Sequence, residues 1–162
     1  MPGGGGAMLL TDDWLPVGSV VGVAGSDGPL MIAGYMMQDL VDGRLWDYAG
    51  VPFPSGFTDE DEFRAFDRVS ISGIRFLGYQ DASYLEMRSA LMARQNEFEL
   101  AKLESMDAGE RREYLRAHIL WKTAQRELLA SSARVEEELA RKMGVDLDLS
   151  SMALAGSGRR GV

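Results

Sequence analysis

Two hydrophobic rhythms divide this chain. Up to residue 79, apolar residues come in short runs rich in β-branched and aromatic side chains, separated by glycine and proline. From residue 82 onward they recur at three- and four-residue intervals, with neither glycine nor proline up to Gly109. The first rhythm predicts strands and the second predicts helices. Residues 17–24 read as a strand, and Gly25-Ser26-Asp27-Gly28-Pro29 as the turn that pairs it with a second strand over 30–38. Asp42-Gly43 is the dipeptide of a type I′ turn, which makes 44–50 a third strand. Pro52 and Pro54 then interrupt the ladder and stiffen a loop up to Phe57. Residues 59–66 predict a short helix or turn, with acids crowding its start and Phe63 and Phe66 three apart. Val69 and Ile71 alternate with polar residues, and 74–79 reads as the last strand.

The helical rhythm opens at Ala82. Tyr84, Met87, Leu91, Phe98 and Ala101 form a stripe through Glu104, broken by Arg94. Asp107 and Glu110 have the spacing of a capping box, which starts a second helix that ends at Gly144, a C-cap residue. Its stripe is Tyr114, Ala117, Trp121, Ala124, Leu128, Val135 and Leu139. At about 1.5 Å per residue the helices span roughly 35 Å and 54 Å, so the shorter cannot cover the longer. Either the second helix breaks near Ser131-Ser132, or it crosses the sheet, or another chain covers its far end.

These elements predict an α+β protein: a small antiparallel sheet of four or five strands followed by a long antiparallel helical hairpin. The expected segments are a flexible N-terminus over 1–13, a β-rich domain over 14–81, the hairpin over 82–145 and a disordered tail over 146–162. A sheet of about 65 residues has a marginal core alone and needs a cover on one face.

Charge narrows the partners. The formal net charge is −8. Residues 1–85 hold four arginines against twelve acids, whereas 86–162 hold thirteen basic and thirteen acidic residues. An acidic front half argues against nucleic acid or anionic lipid as ligand and favours a basic protein. No apolar run approaches the length of a membrane span, and the start lacks the features of a secretory signal, so a cytoplasmic location is expected. The chain has no cysteine, which excludes disulfides and thiolate metal sites.

Little else points to catalysis. The single histidine, His118, has no second ligand or orienting acid within helical reach, and reads as a packing or surface residue. The acidic run 59–62 lacks the alternating ligands and sixth-position glycine of a calcium loop. Ala24-Gly25-Ser26-Asp27-Gly28 falls one residue short of a nucleophile elbow and sits in a hairpin rather than a strand-to-helix turn. No cofactor is expected, and no enzyme. Phe53 and Phe57, on the stiff loop, are candidate partner contacts, as are Trp121, Leu128, Val135 and Leu139 on the second helix.

Four short motifs, Leu15-Pro16-x-Gly18-Ser19-Val20, Met31-Ile32-x-Gly34, Tyr48-x-Gly50-x-Pro52-x-Pro54-x-Gly56 and Phe76-x-Gly78-Tyr79, resemble the bacterial domain-of-unknown-function family 4176. The resemblance covers about residues 15–79. It implies a small accessory protein of type VII (ESX-like) secretion, and carries over no activity or catalytic residue. Small type VII substrates are helical hairpins with a Trp-x-Gly signature, which is absent here: Trp121 is followed by Lys122-Thr123. The expected function is that of a non-enzymatic adaptor binding a helical secretion client through the hairpin. An immunity-type protein that neutralises a toxin through the acidic β-domain is the alternative, and a homodimer that buries the helical stripe is a further arrangement to test.

Overall fold

The computed structural model describes residues 14–58 and 63–146. The expected flexible N-terminus 1–13, the acidic run 59–62 and the tail from 147 lie outside the described residues. The fold is α+β. Strands β1 (Val20–Val23), β2 (Leu30–Gln38), β3 (Leu45–Pro52), β4 (Arg64–Phe66) and β5 (Ile71–Phe76) form one antiparallel sheet in the order β4-β3-β2-β1-β5. Helices α1 (Ala82–Glu104) and α2 (Ala108–Lys142) follow.

The predicted strands are present, the last of them three residues earlier than expected at Ile71–Phe76, with three further corrections. Residues 59–66 do not carry a helix through to Phe66: Arg64–Phe66 pairs with Gly50, Ala49 and Tyr48 of β3, because Phe66 finds a ring partner in Tyr48 at 5.4 Å. Phe63 instead meets Phe57, also at 5.4 Å. Val69 lies in a 3-10 turn, Arg68–Ser70, rather than in a strand. The β2–β3 link is not a two-residue type I′ turn, which needs positive φ at both central residues. Gly43 alone has it (φ 75°), and a six-residue loop is closed by Asp39, whose N–H donates to the Arg44 carbonyl at 2.8 Å.

One tryptophan organises the core. Trp14 is fully buried among Leu15, Val21, Ile32, Tyr48, Phe66 and Leu91, with its ring edge-on to Tyr35, Tyr48 and Phe98. Its backbone neighbourhood is tied to both layers. The Leu15 N–H donates to the Tyr48 hydroxyl, the Tyr35 hydroxyl donates to the Leu15 carbonyl, and the Tyr84 hydroxyl of α1 donates to the Trp14 carbonyl. The start of the sheet is thereby sewn to α1, which supplies the cover that a sheet this small requires. At Gly78 a Cβ would sit 2.5 Å from the Val17 carbonyl oxygen, so only glycine lets the strand exit this closely.

Both helices are capped, α2 by the box its sequence predicts. The Asp81 side chain accepts from the Tyr84 N–H at 2.9 Å. Asp107 Oδ1 accepts from Glu110 N–H while Glu110 Oε2 accepts from Asp107 N–H, a reciprocal capping box. At the far end Gly144 (φ 68°) donates to the Arg141 carbonyl and Val145 to that of Ala140, the two bonds of a Schellman motif. The helix does not break at Ser131-Ser132, since the Ser131 hydroxyl bonds back to the Glu127 carbonyl at 2.9 Å and α2 runs on for 35 residues in all.

The described residues up to Lys122 form one compact unit and those from Thr123 a second. The division falls inside α2. No helix among the described residues is long and apolar enough to cross a membrane.

Candidate functional site

Two groups of side chains could carry function, and they differ in kind. The first is a buried ionic cluster in the unit that ends at Lys122. Lys102, fully buried on α1, places its Nζ 2.8 Å from Asp47 Oδ1 of β3 and 2.7 Å from Asp67 Oδ1. Arg68 bonds Asp47 through its backbone N–H (2.8 Å) and Glu99 of α1 through Nη2 (3.1 Å). Its guanidinium lies 4.2 Å over the Trp14 ring. Arg44 meets Asp67 at 3.3 Å. The cluster thus balances three cations, Arg44, Arg68 and Lys102, against three carboxylates, Asp47, Asp67 and Glu99.

The hydroxyl of Tyr114 on α2 closes the cluster. It donates to Glu99 Oε2 (2.8 Å) and accepts from Lys102 Nζ (3.0 Å). His118 Nδ1 lies 2.9 Å away. A phenol has one proton to give, already committed to Glu99, so the Nδ1 of His118 must carry the proton of that contact. The His118 ring stands edge-on between Tyr114 and Trp121.

Electrostatics follow the geometry. Burial alone would raise the Asp47 carboxyl, but Lys102 and Arg68 outweigh it and hold it below the usual range. Asp67 is raised, by burial first and then by the neighbouring Asp47. Burial pushes the Tyr114 phenol up, helped by Asp47 and Glu99, and pushes the His118 imidazole down against the opposing pull of Glu99. Each acid and base here is engaged by a partner inside the fold. Surface cavities of about 500 and 450 Å³ lie elsewhere, and none of the cluster's residues lines them. The cluster ties β3, the β4–β5 link, α1 and the start of α2 together, which is a structural task. Among the described residues no group of three or more His, Asp or Glu side chains is arranged to hold a metal ion.

The second group is the exposed apolar seam of α2 in the unit from Thr123. Tyr114, Trp121, Leu128 and Val135 recur every seven residues, which keeps them on one helical face with Leu139. Tyr114 and Trp121 are 7% and 2% exposed, but Leu128, Val135 and Leu139 are 50%, 58% and 53% exposed. Leu129, Met143 and Val145 are exposed beside them.

The candidate partner contacts thus separate. Leu128, Val135 and Leu139 remain accessible together. Trp121 does not: it is held inside the fold beside His118, and Arg68 lies 6.0 Å over its ring. Phe53 is exposed and borders both cavities on the sheet, in one of them with Val20, Met31, Arg75 and Phe76. Phe57 is exposed against Phe63.

A family model described as Domain of unknown function (DUF4176) matches residues 14–87. Residues 14–87 are thus similar to a DUF4176 domain. The match begins at the core residue Trp14, takes in the whole sheet and ends within the first turns of α1. Of the ionic cluster, Arg44, Asp47, Asp67 and Arg68 lie inside the DUF4176 match, while Glu99, Lys102, Tyr114 and His118 lie beyond it. The exposed seam also lies wholly beyond it. No curated protein and no solved structure matches the chain.

Motif reading missed the cluster because its members are far apart in sequence. A signal existed in Lys102, which follows Phe98 by four residues on the apolar face of α1, where a charge demands a buried partner. Asp47, flanked by Trp46 and Tyr48 within an apolar strand, was the other.

Proposed function

We propose that this protein is a non-enzymatic accessory factor that binds a helical client through the distal half of α2. The observation that carries the reading is the accessible seam of Leu128, Val135 and Leu139, the continuation of a seven-residue repeat whose upstream members are buried. Apolar stripes of this spacing pair with helices. The type VII secretion association that the family resemblance implies supplies a setting, with a secreted helical protein as client and the cytoplasm as the place of meeting. No catalytic role is assigned to the ionic cluster, whose acids and bases are paired and buried.

A second reading has one observation in its favour. Arg44 and Arg68 are buried in ion pairs with Asp47 and Asp67, so outside that cluster residues 1–85 keep their excess of eight acids over arginines. An immunity-type protein would use that charge against a basic toxin. The discriminating experiment is affinity recovery from the native host with full-length bait, comparing the wild type with Leu128→Asp/Val135→Asp. Loss of the partner in the variant, with an unchanged circular dichroism spectrum, is expected for the seam. Retention, with recovery that weakens as salt rises, would move the binding site to the sheet.

A further inference from the structure

The seam also carries information about what lies opposite it. On a seven-residue repeat in which Leu128 and Val135 hold one core position and Ser132 and Leu139 the other, six residues flank the stripe. They are Leu129, Glu136 and Met143 on one side, and Ala124, Ser131 and Glu138 on the other. None of the six is Lys or Arg. The charged flanking positions are both glutamates, one on each side, and both are exposed.

We infer that the client helix carries lysine or arginine on both sides of its own apolar stripe, facing Glu136 and Glu138. The inference rests on the proposed helical-client reading and adds the client's charge pattern to it. Flanking charges choose partners in helix pairs: opposite signs are selected and like signs rejected. A second copy of this chain fits poorly, since neither a parallel nor an antiparallel pairing offers a basic flanking residue to either glutamate. A parallel pair would also set Lys142, at a core position, against itself. Glu138 meets Lys142 at 3.0 Å in an exposed i,i+4 ion pair. Such a pair is weakly held in water and yields readily to a partner.

The test uses the full chain and two fluorescent synthetic helical peptides. Both carry the same Leu/Ile stripe; one has lysine and the other glutamate at every flanking position. Fluorescence anisotropy is expected to show the lysine peptide binding about tenfold tighter or more at low salt. The advantage shrinks at about 0.5 M salt. In Glu136→Lys/Glu138→Lys the preference reverses, and because both sites are on the surface the circular dichroism spectrum stays unchanged. Equal binding of the two peptides overturns the charge inference and leaves helix docking intact. Binding of neither overturns both. Light scattering that shows a dimer without peptide, lost in Leu128→Asp, assigns the seam to a second copy and also overturns the inference.

Discussion

Along α2 one seven-residue repeat passes through two environments. Tyr114 and Trp121 are enclosed in the fold, with a phenol shared among Glu99, Lys102 and His118 and an indole beside Arg68. Leu128 and Val135 keep the same interval and remain half exposed. Helical spacing alone does not distinguish the halves. The side chains do: the upstream positions are large amphipathic rings that bury an apolar body and still satisfy a polar edge, which suits packing over a charged cluster. Downstream the positions are plain aliphatics with small serines between them, which suits an apolar interface that can be left and re-formed.

Substitutions at matched positions should make the contrast quantitative. The largest effect is expected from Asp47→Ala, which strips Lys102 and Arg68 of a buried counter-charge and should cost about 4 kcal/mol in denaturant unfolding. Trp121→Ala follows at about 3 kcal/mol, by loss of a fully packed ring. Next comes a pH effect. The Tyr35 phenol is pushed up to about 12, mainly by burial, and Tyr48 and Tyr114 are raised further. A raised folded value protects the neutral form, so this stability is complete below about pH 10 and is lost as pH rises toward the folded values. Thermal melts should therefore weaken above pH 10, and Tyr35→Phe should soften the decline. His118 has the opposite sign: its lowered value means that the unfolded chain takes up the proton first, so stability falls as pH drops below about 6.5. Asp107→Ala, which removes the cap of α2, should cost about 1 kcal/mol. Leu128→Ala and Val135→Ala should each change stability by less than about 0.5 kcal/mol. A cost at Leu128 equal to that at Trp121 would erase the contrast.

Much of the fold was legible because local rules and tertiary packing agree. The turn at Gly25, the cap at Asp107 and the stop at Gly144 all formed where their side-chain chemistry places them. The readings that changed were those in which a distant partner overrides the local signal. Phe66 joins a strand because Tyr48 receives it. The ionic cluster was illegible for the same reason: Asp47, Asp67, Glu99, Lys102 and Tyr114 are ordinary residues until the fold brings them within hydrogen-bonding distance. The seam was visible from periodicity, but the burial of Tyr114 and Trp121 against the exposure of Leu128 and Val135 was not.

Amide hydrogen exchange along α2 in the full chain tests that division most directly. Slow exchange is expected through residue 122 and markedly faster exchange from about 124 onward, with the distal amides slowing when the lysine-flanked helical peptide is added. Uniformly slow exchange to residue 142 in the free chain would mean that the seam is already covered, and would contradict the account.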